Sequence, residues 1–254
     1  MPSLYIHVPF CVRKCDYCAF YSHTLANSPK DLISVYLEGL EVEMAKRRKD
    51  APLGVSSLFI GGGTPTALKD MDLERLMEMI HRHFHLNPGA EHTIEGNPGT
   101  LTPSKLNILR RYGINRFSLG VQAFNDKLLS AVGRMHTAQE AREAIGRLRT
   151  TGFDNISMDL MFGLPAQDMA TWQATIEEAL SYSPEHLSLY GLMLEEGTPL
   201  YERYRVDNAL LDQLPDDDLQ AEMHDWAVER LKQAGYTHYE TSNFARPGYE
   251  CRHN

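Results

Sequence analysis

Short runs rich in β-branched and aromatic residues alternate with longer stretches of helical period along most of this chain, and that alternation restricts the fold more than any other feature. Residues 3–8, 55–60, 92–95, 116–120, 156–161 and 186–192 read as strands, with a seventh at 236–241. Between them lie helical periods at 30–48, 72–84, 103–111, 126–132, 138–150, 168–180 and 217–234. In the first helix Leu32, Ile33, Tyr36, Leu37, Leu40 and Met44 form one apolar stripe. Thr102 stands where an N-cap belongs, and the acidic run Asp216, Asp217 and Asp218 precedes the last helix at its positive dipole end. Strand–helix alternation of this kind builds parallel βαβ units. Six or more units, with no glycine-rich dinucleotide fingerprint opening the first helix, predict an α/β fold of the TIM-like barrel type. No repeat of fixed period and no low-complexity linker interrupts it.

The 254 residues suit one barrel of about 250 residues or two smaller domains. Apolar residues make up 43 % of the chain, enough for a large core, so disorder is excluded. The net charge of −9 argues against a nucleic-acid backbone as partner. No run approaches the roughly 18 apolar residues of a membrane span, and the start lacks the basic and apolar regions of a signal peptide. A cytoplasmic protein is expected.

Three of the four cysteines fall on one loop after the first strand, as Cys11, Cys15 and Cys18 in C-x3-C-x2-C spacing. Clustered thiols in a long, cysteine-poor chain point to a metal or redox centre rather than a disulfide scaffold. Three thiolates wrap one compact centre and leave one iron of a four-iron cluster open, whereas a fourth would close it. A zinc site completed by His7 or His23 is the other reading of these residues. After the second strand comes Gly61-Gly62-Gly63-Thr64-Pro65, where missing Cβ atoms let backbone approach a ligand closely, or simply allow a tight turn. Polar groups end the later strands: Glu95 and Asn97, then Gln122, then Asp159. Barrel active sites lie at those ends. A carboxylate there can accept from ribose hydroxyls, Gln122 can donate and accept, and Arg134 can fork onto a carboxylate. Each also has a plainer role as a cap, a bridge between loops or a solvated helix-end charge.

The cysteine loop followed by the glycine run resembles the radical S-adenosylmethionine (SAM) superfamily. That resemblance implies a [4Fe-4S] cluster on Cys11, Cys15 and Cys18 with SAM on its open iron. It also implies a partial (β/α)6 barrel, residues 1–235, and reductive cleavage of SAM to a 5′-deoxyadenosyl radical. Tyr5-x-His7-x-Pro9-Phe10-Cys11, Glu95-x-Asn97-Pro98, Gly120-Val121-Gln122-x-Phe124 and the run 158–165, MDLMFGLP, resemble anaerobic coproporphyrinogen III oxidase and its relatives. By that resemblance Tyr5, Gly62 and Glu95 belong to a first SAM site. Tyr17, Gly63, Thr64, Gln122, Arg134 and Asp159 match a second.

The oxidase pattern continues to a fourth cysteine, C-x3-C-x2-C-x-C, and here that position is Phe20. The sequence is there similar to the HemW-type heme chaperones. This resemblance implies heme as cargo, respiratory heme proteins as acceptors with a membrane location left open, and a homodimer as one assembly. Their heme motif, His-Asn-x-x-Tyr-Trp, is begun by His253-Asn254, which makes His253 the candidate heme residue. Residues 236–254 are then expected to begin a C-terminal region missing from this chain. The alternatives are an oxygen-independent oxidase that draws hydrogen from a porphyrinogen propionate, and a purely structural zinc or iron–sulfur module. Three further features carry plainer expectations. His81 and His85 share a helical face, Cys251 stands alone, and Met158, Met161 and Met193 fill core gaps.

Overall fold

The computed structural model describes residues 2–50, 54–206 and 208–254. Its main sheet has eight strands, of which six are parallel and stand in sequence order: β1 (Ser3–Val8), β4 (Val55–Gly62), β5 (Leu86–Gly96), β6 (Arg116–Gln122), β7 (Ile156–Phe162) and β8 (His186–Gly191). Two short strands, β2 (Phe10–Cys11) and β3 (His23–Thr24), pair with each other and bracket the cysteine loop. The crossovers are helical. They run through α1 (Leu32–Arg47), α2 (Asp70–His83), α3 (Pro103–Arg111), α4 (Asp126–Ala131), α5 (Ala138–Thr150) and α6 (Met169–Ser181). After β8 come α7 (Pro199–Val206), α8 (Asn208–Leu211) and α9 (Asp217–Gln233). Parallel strands in unbroken sequence order, each followed by helix, are the topology of a partial barrel.

The expected seventh strand is corrected. Residues 236–241 yield only β9 (Thr237–His238), which pairs antiparallel with β10 (Asn243–Ala245), and β10 lies antiparallel on β8. Four residues separate β9 from β10, too few for the dozen or more of a parallel crossover, so the chain reverses instead. The reversal is fixed by Tyr239 N–H donating to the Asn243 carbonyl at 3.2 Å and by Ser242 N–H donating to the Glu240 carboxylate at 3.0 Å.

Period-two alternation divides the sheet into two unlike faces. Ile6, Val8, Leu58, Ile60, Ile94, Leu119, Met158, Leu160 and Leu187 are fully buried and join one apolar cluster with helix residues such as Leu37, Leu76, Leu109 and Ile176. The opposite face carries polar side chains bonded to one another. Ser57 meets Ser3 at 2.8 Å, Ser118 meets Asp159 at 3.1 Å, Ser157 meets His186 at 2.8 Å, and Ser188 meets Asn243 at 2.6 Å. Closed barrels fill that face with branched aliphatics. This inner face is a polar lumen.

Helix ends are capped as the sequence leads one to expect. Thr102 Oγ1 accepts from Lys105 N–H at 3.2 Å, Asp216 accepts from Leu219 N–H at 2.8 Å, and Thr137 with Glu140 forms a reciprocal capping box. α2 stops at His83, so His85 lies beyond the helix and shares no helical face with His81. Met158 and Met161 are buried in the core; Met193, expected there, is 68 % exposed.

Candidate functional site

The strands deliver their C-terminal ends, and the loops after them, to one side of the sheet. Gly62 ends β4 with φ of +113°, and a Cβ there would lie 2.6 Å from His7 Nδ1. At Gly63 a Cβ would meet the Phe10 carbonyl at 2.7 Å. Gly63 N–H donates to Val8 O at 2.9 Å and Thr64 N–H to Phe10 O at 2.7 Å, so the glycine run lies directly against the start of the cysteine loop. Only glycine allows that approach.

The three thiols sit on this loop, Cys11 buried, Cys15 and Cys18 half-buried, all free. Thr64 Oγ1 faces Cys11 Sγ at 3.7 Å and Arg134 Nη1 faces Cys15 Sγ at 3.5 Å. Burial pushes the Cys18 thiol up; the Phe20 main-chain N–H works against that by favouring thiolate, while Cys15 and Cys11 add to it. Asp16 anchors the loop from below: its N–H donates to Val132 O at 3.1 Å, and its carboxylate accepts from Arg203 at 2.7 Å. Among the described residues no three His, Cys, Asp or Glu side chains already stand in a metal-holding arrangement.

The donor set nevertheless fits one kind of centre better than the other. His7 Nε2 donates to the Tyr21 carbonyl at 3.2 Å and its Nδ1 accepts from Tyr5 OH at 3.1 Å, while His23 Nε2 lies 3.1 Å from Tyr21 OH. Both His7 nitrogens are thus engaged, and His23 turns its Nε2 to Tyr21, so His7 does not complete a four-ligand zinc site from this loop. Three thiols with no fourth protein donor suit an iron–sulfur cluster with one open iron.

Above the loop, Arg134 is half-buried. Its Nη2 donates to Asn97 Oδ1 at 2.8 Å and to the Gly120 carbonyl, and its Nε is buried without a partner. It ties the cysteine loop to the ends of β5 and β6, with both Nη groups engaged inside the protein. Tyr17 packs beside it, its hydroxyl pushed up to about 12 by burial against the opposing pull of Arg134. Gln122 has φ of +67°, a conformation rare for a side chain this long, and its Oε1 is buried with no partner. A strained backbone and an unpaired buried acceptor at a strand end together make this position a candidate for ligand contact.

Glu95 Oε2 accepts from Gly62 N–H at 3.1 Å. Burial raises its carboxyl to about 7, helped by Asp159 and opposed by the Gly62 N–H. Asp159, raised by burial to about 6, accepts from Ser118 Oγ at 3.1 Å. Tyr5 stands 47 % exposed on β1, with Glu95 near enough to raise it further after burial. His253 lies apart from the thiols but on the same inner face, its ring 6.0 Å from Tyr5 and 5.0 Å from Phe59.

The structure therefore gathers Cys11, Cys15, Cys18, Tyr17, Gly62, Gly63, Thr64, Gln122 and Arg134 at the strand ends, with Glu95 and Asp159 just inside. Several participants have no role assigned to them in the sequence reading. Asn97 bridges Arg134 and Thr64, donating to the latter at 2.9 Å; Asp16 anchors the loop; Ser118 donates to Asp159, with Ser188 beside it. Asn97 lies in the same strand-end motif as Glu95 and was findable there. The serines give no signal outside the fold.

A partial parallel barrel with three thiols on the first loop and a glycine run on the second defines a class. The radical SAM superfamily model matches residues 5–179, more than half of the chain, and the chain belongs to that superfamily. More particularly, it is 40 % identical over its whole length to the heme chaperone HemW of Bacillus subtilis (strain 168), and 37 % identical over 99 % of its length to that of Escherichia coli (strain K12). The chain spans 66 % and 65 % of those two relatives' lengths. Among solved structures it resembles coproporphyrinogen III oxidase (HemN) from Escherichia coli, described as a radical SAM enzyme. The TM-score is 0.87 at 30 % identity, covering 98 % of this chain and 56 % of that one.

Proposed function

We propose that this chain binds heme as cargo alongside a 4Fe-4S cluster and SAM, and passes the heme to respiratory heme proteins from the cytoplasm. No helix among the described residues is long and apolar enough to cross a membrane. The observation that carries the chaperone reading over the oxidase reading is Phe20. Where the oxidase pattern has a fourth thiol, this chain has a phenyl ring that is 72 % exposed beside the cluster loop. A phenyl ring offers neither a proton nor a ligand. The names of the HemW relatives support the same choice.

In this reading Cys11, Cys15 and Cys18 hold the cluster. The cluster, when bound, supplies an open iron for the amino-acid end of SAM and the electron for its reductive cleavage. Tyr5, Gly62 and Glu95 line a first SAM site, where the glycine backbone makes room and Glu95 accepts hydrogen bonds. Tyr17, Gly63, Thr64, Gln122, Arg134 and Asp159 line a second. Gln122 Oε1 and Arg134 Nε, buried without partners, are the groups that a ligand there would satisfy. His253 is the residue offered to heme, and a homodimer is the assembly in which these relatives are expected to work.

One preparation tests both readings. Anaerobic reconstitution is expected to give about four irons per chain with a broad iron–sulfur absorbance. Added heme is then expected to be retained through gel filtration with a stable Soret band, and coproporphyrinogen to be left unchanged. Decarboxylation of the porphyrinogen without heme retention would replace the chaperone reading by the oxidase. A zinc-loaded, iron-free product would overturn both.

A further inference from the structure

We propose that Glu91 and Tyr239 are positioning residues: they clamp the segment 251–254 across the polar inner face of the sheet and so set the His253 imidazole where it meets heme. The second half of this statement rests on the heme reading above; the clamp itself does not.

Glu91 lies on β5 and is 8 % exposed. Its Oε1 accepts from the Arg252 main-chain N–H at 3.1 Å, and the Cys251 thiol faces the same oxygen at 3.5 Å. Arg252 also reaches the Gly89 carbonyl through Nη1 at 3.0 Å, so one strand grips the segment twice. The other jaw is Tyr239. Its hydroxyl accepts from Cys251 N–H at 3.2 Å and from Asn254 Nδ2 at 3.4 Å, and lies 2.8 Å from His186 Nε2. A hydroxyl has one proton and two lone pairs, and these three contacts use all of them. The Tyr239 proton therefore goes to His186 Nε2. His186 in turn carries its proton on Nδ1, facing Ser157 Oγ at 2.8 Å. Burial keeps that imidazole neutral, as the relay requires.

Held on both sides, the segment carries His253 to the opposite edge of the lumen. There its Nδ1 faces Ser57 Oγ at 3.5 Å and its ring packs 5.0 Å from Phe59. An imidazole that ligates a metal ordinarily has its other nitrogen held by such a group. This arrangement leaves Nε2 for the ligand.

The test uses the full chain and two readouts. The first is the rate at which a maleimide modifies Cys251, mapped to its peptide by mass spectrometry; the thiol is 6 % exposed and slow to react while the segment is docked. Glu91→Ala and Tyr239→Phe are each expected to raise that rate about tenfold, the effect of one lost net hydrogen bond. Glu91→Gln keeps an acceptor oxygen and is expected to stay near the parent rate. The second readout is the Soret band of added heme, expected to weaken in the two opening variants and in His253→Ala, with the iron–sulfur absorbance unchanged. Labelling at the parent rate in both opening variants overturns the clamp, whatever heme does. Faster labelling with full heme retention, while His253→Ala loses heme, overturns the positioning role and leaves the heme reading standing. Full retention in His253→Ala overturns that reading at its root, and the labelling result still decides the clamp. Should Glu91→Ala fail to fold, Tyr239→Phe removes a single oxygen and carries the test.

Discussion

Two carboxyls carry a pH dependence in their burial. Glu95 is raised from 4.5 to about 7 and Asp159 from 3.8 to about 6, each chiefly because the lumen desolvates its charged form. A raised folded-state pKa means the fold favours the neutral acid. The stability this confers is fully present below the unfolded values and is lost as pH rises through the folded ones. From these two groups the ligand-free protein is expected to lose on the order of a few kcal/mol as pH rises from about 4 to about 8. Thermal melts across that range check it, and Glu95→Gln is expected to flatten the slope. Gly63→Ala probes the neighbouring backbone. Its new Cβ would press on the Phe10 carbonyl, and overpacking of this kind costs about 1–3 kcal/mol. Iron content after reconstitution is expected to fall along with the melting temperature, because the glycine run and the cysteine loop are one hydrogen-bonded unit. Glu95, Gln122 and Asp159 were legible in the sequence because each ends a strand or stands beside a strand end in a recognisable motif. Arg116 was not. It is 2 % exposed and lies among the lumen groups, yet in the sequence it is only a basic residue at the start of an apolar run.

At the scale of elements, periodicity and caps located the six parallel strands and the long helices to within a few residues. β5 is the largest exception, starting at Leu86 rather than residue 92, because Asn87, Pro88 and Gly89 read as a turn. Pairing with β4 overrides that local preference through an irregular register between Val55 and Ser57. The seventh strand failed for a different reason. The run 236–241 has strand composition, but only Thr237–His238 pair, and β10 inserts antiparallel between them and β8, which composition does not reveal. Helix α5 offers a clean measure of local signal. Thr137→Ala removes the reciprocal cap with Glu140 and is expected to cost about 1 kcal/mol, or a fall of about 2–4 °C in melting temperature. Heme retention and iron content are expected to stay unchanged, since the cap's bonds join Thr137 and Glu140 to each other and not to a thiol or a lumen group.

For the molecule as a whole, alternation announced a parallel α/β fold, while the polar inner face became visible only with the strands in register. A serine two positions from an aspartate, as Ser157 is from Asp159, says nothing alone; across the sheet, Ser57, Ser118, Ser157 and Ser188 line one surface. The order of the sheet has a consequence for how the chain comes together. Each parallel strand pairs with the one just before it, so the units can be added one after another as the polypeptide is made. The meeting of Ser57 with His253 is of another kind, joining positions 196 residues apart. Such a contact repays its loop-closure entropy only after the intervening units have docked. The thiol loop can thus form early on the nascent chain, and the imidazole seat only after it. On the heme reading proposed above, a partly made or partly melted chain would have its cysteines in place before a seat for porphyrin, which would separate cluster assembly from cargo loading in time.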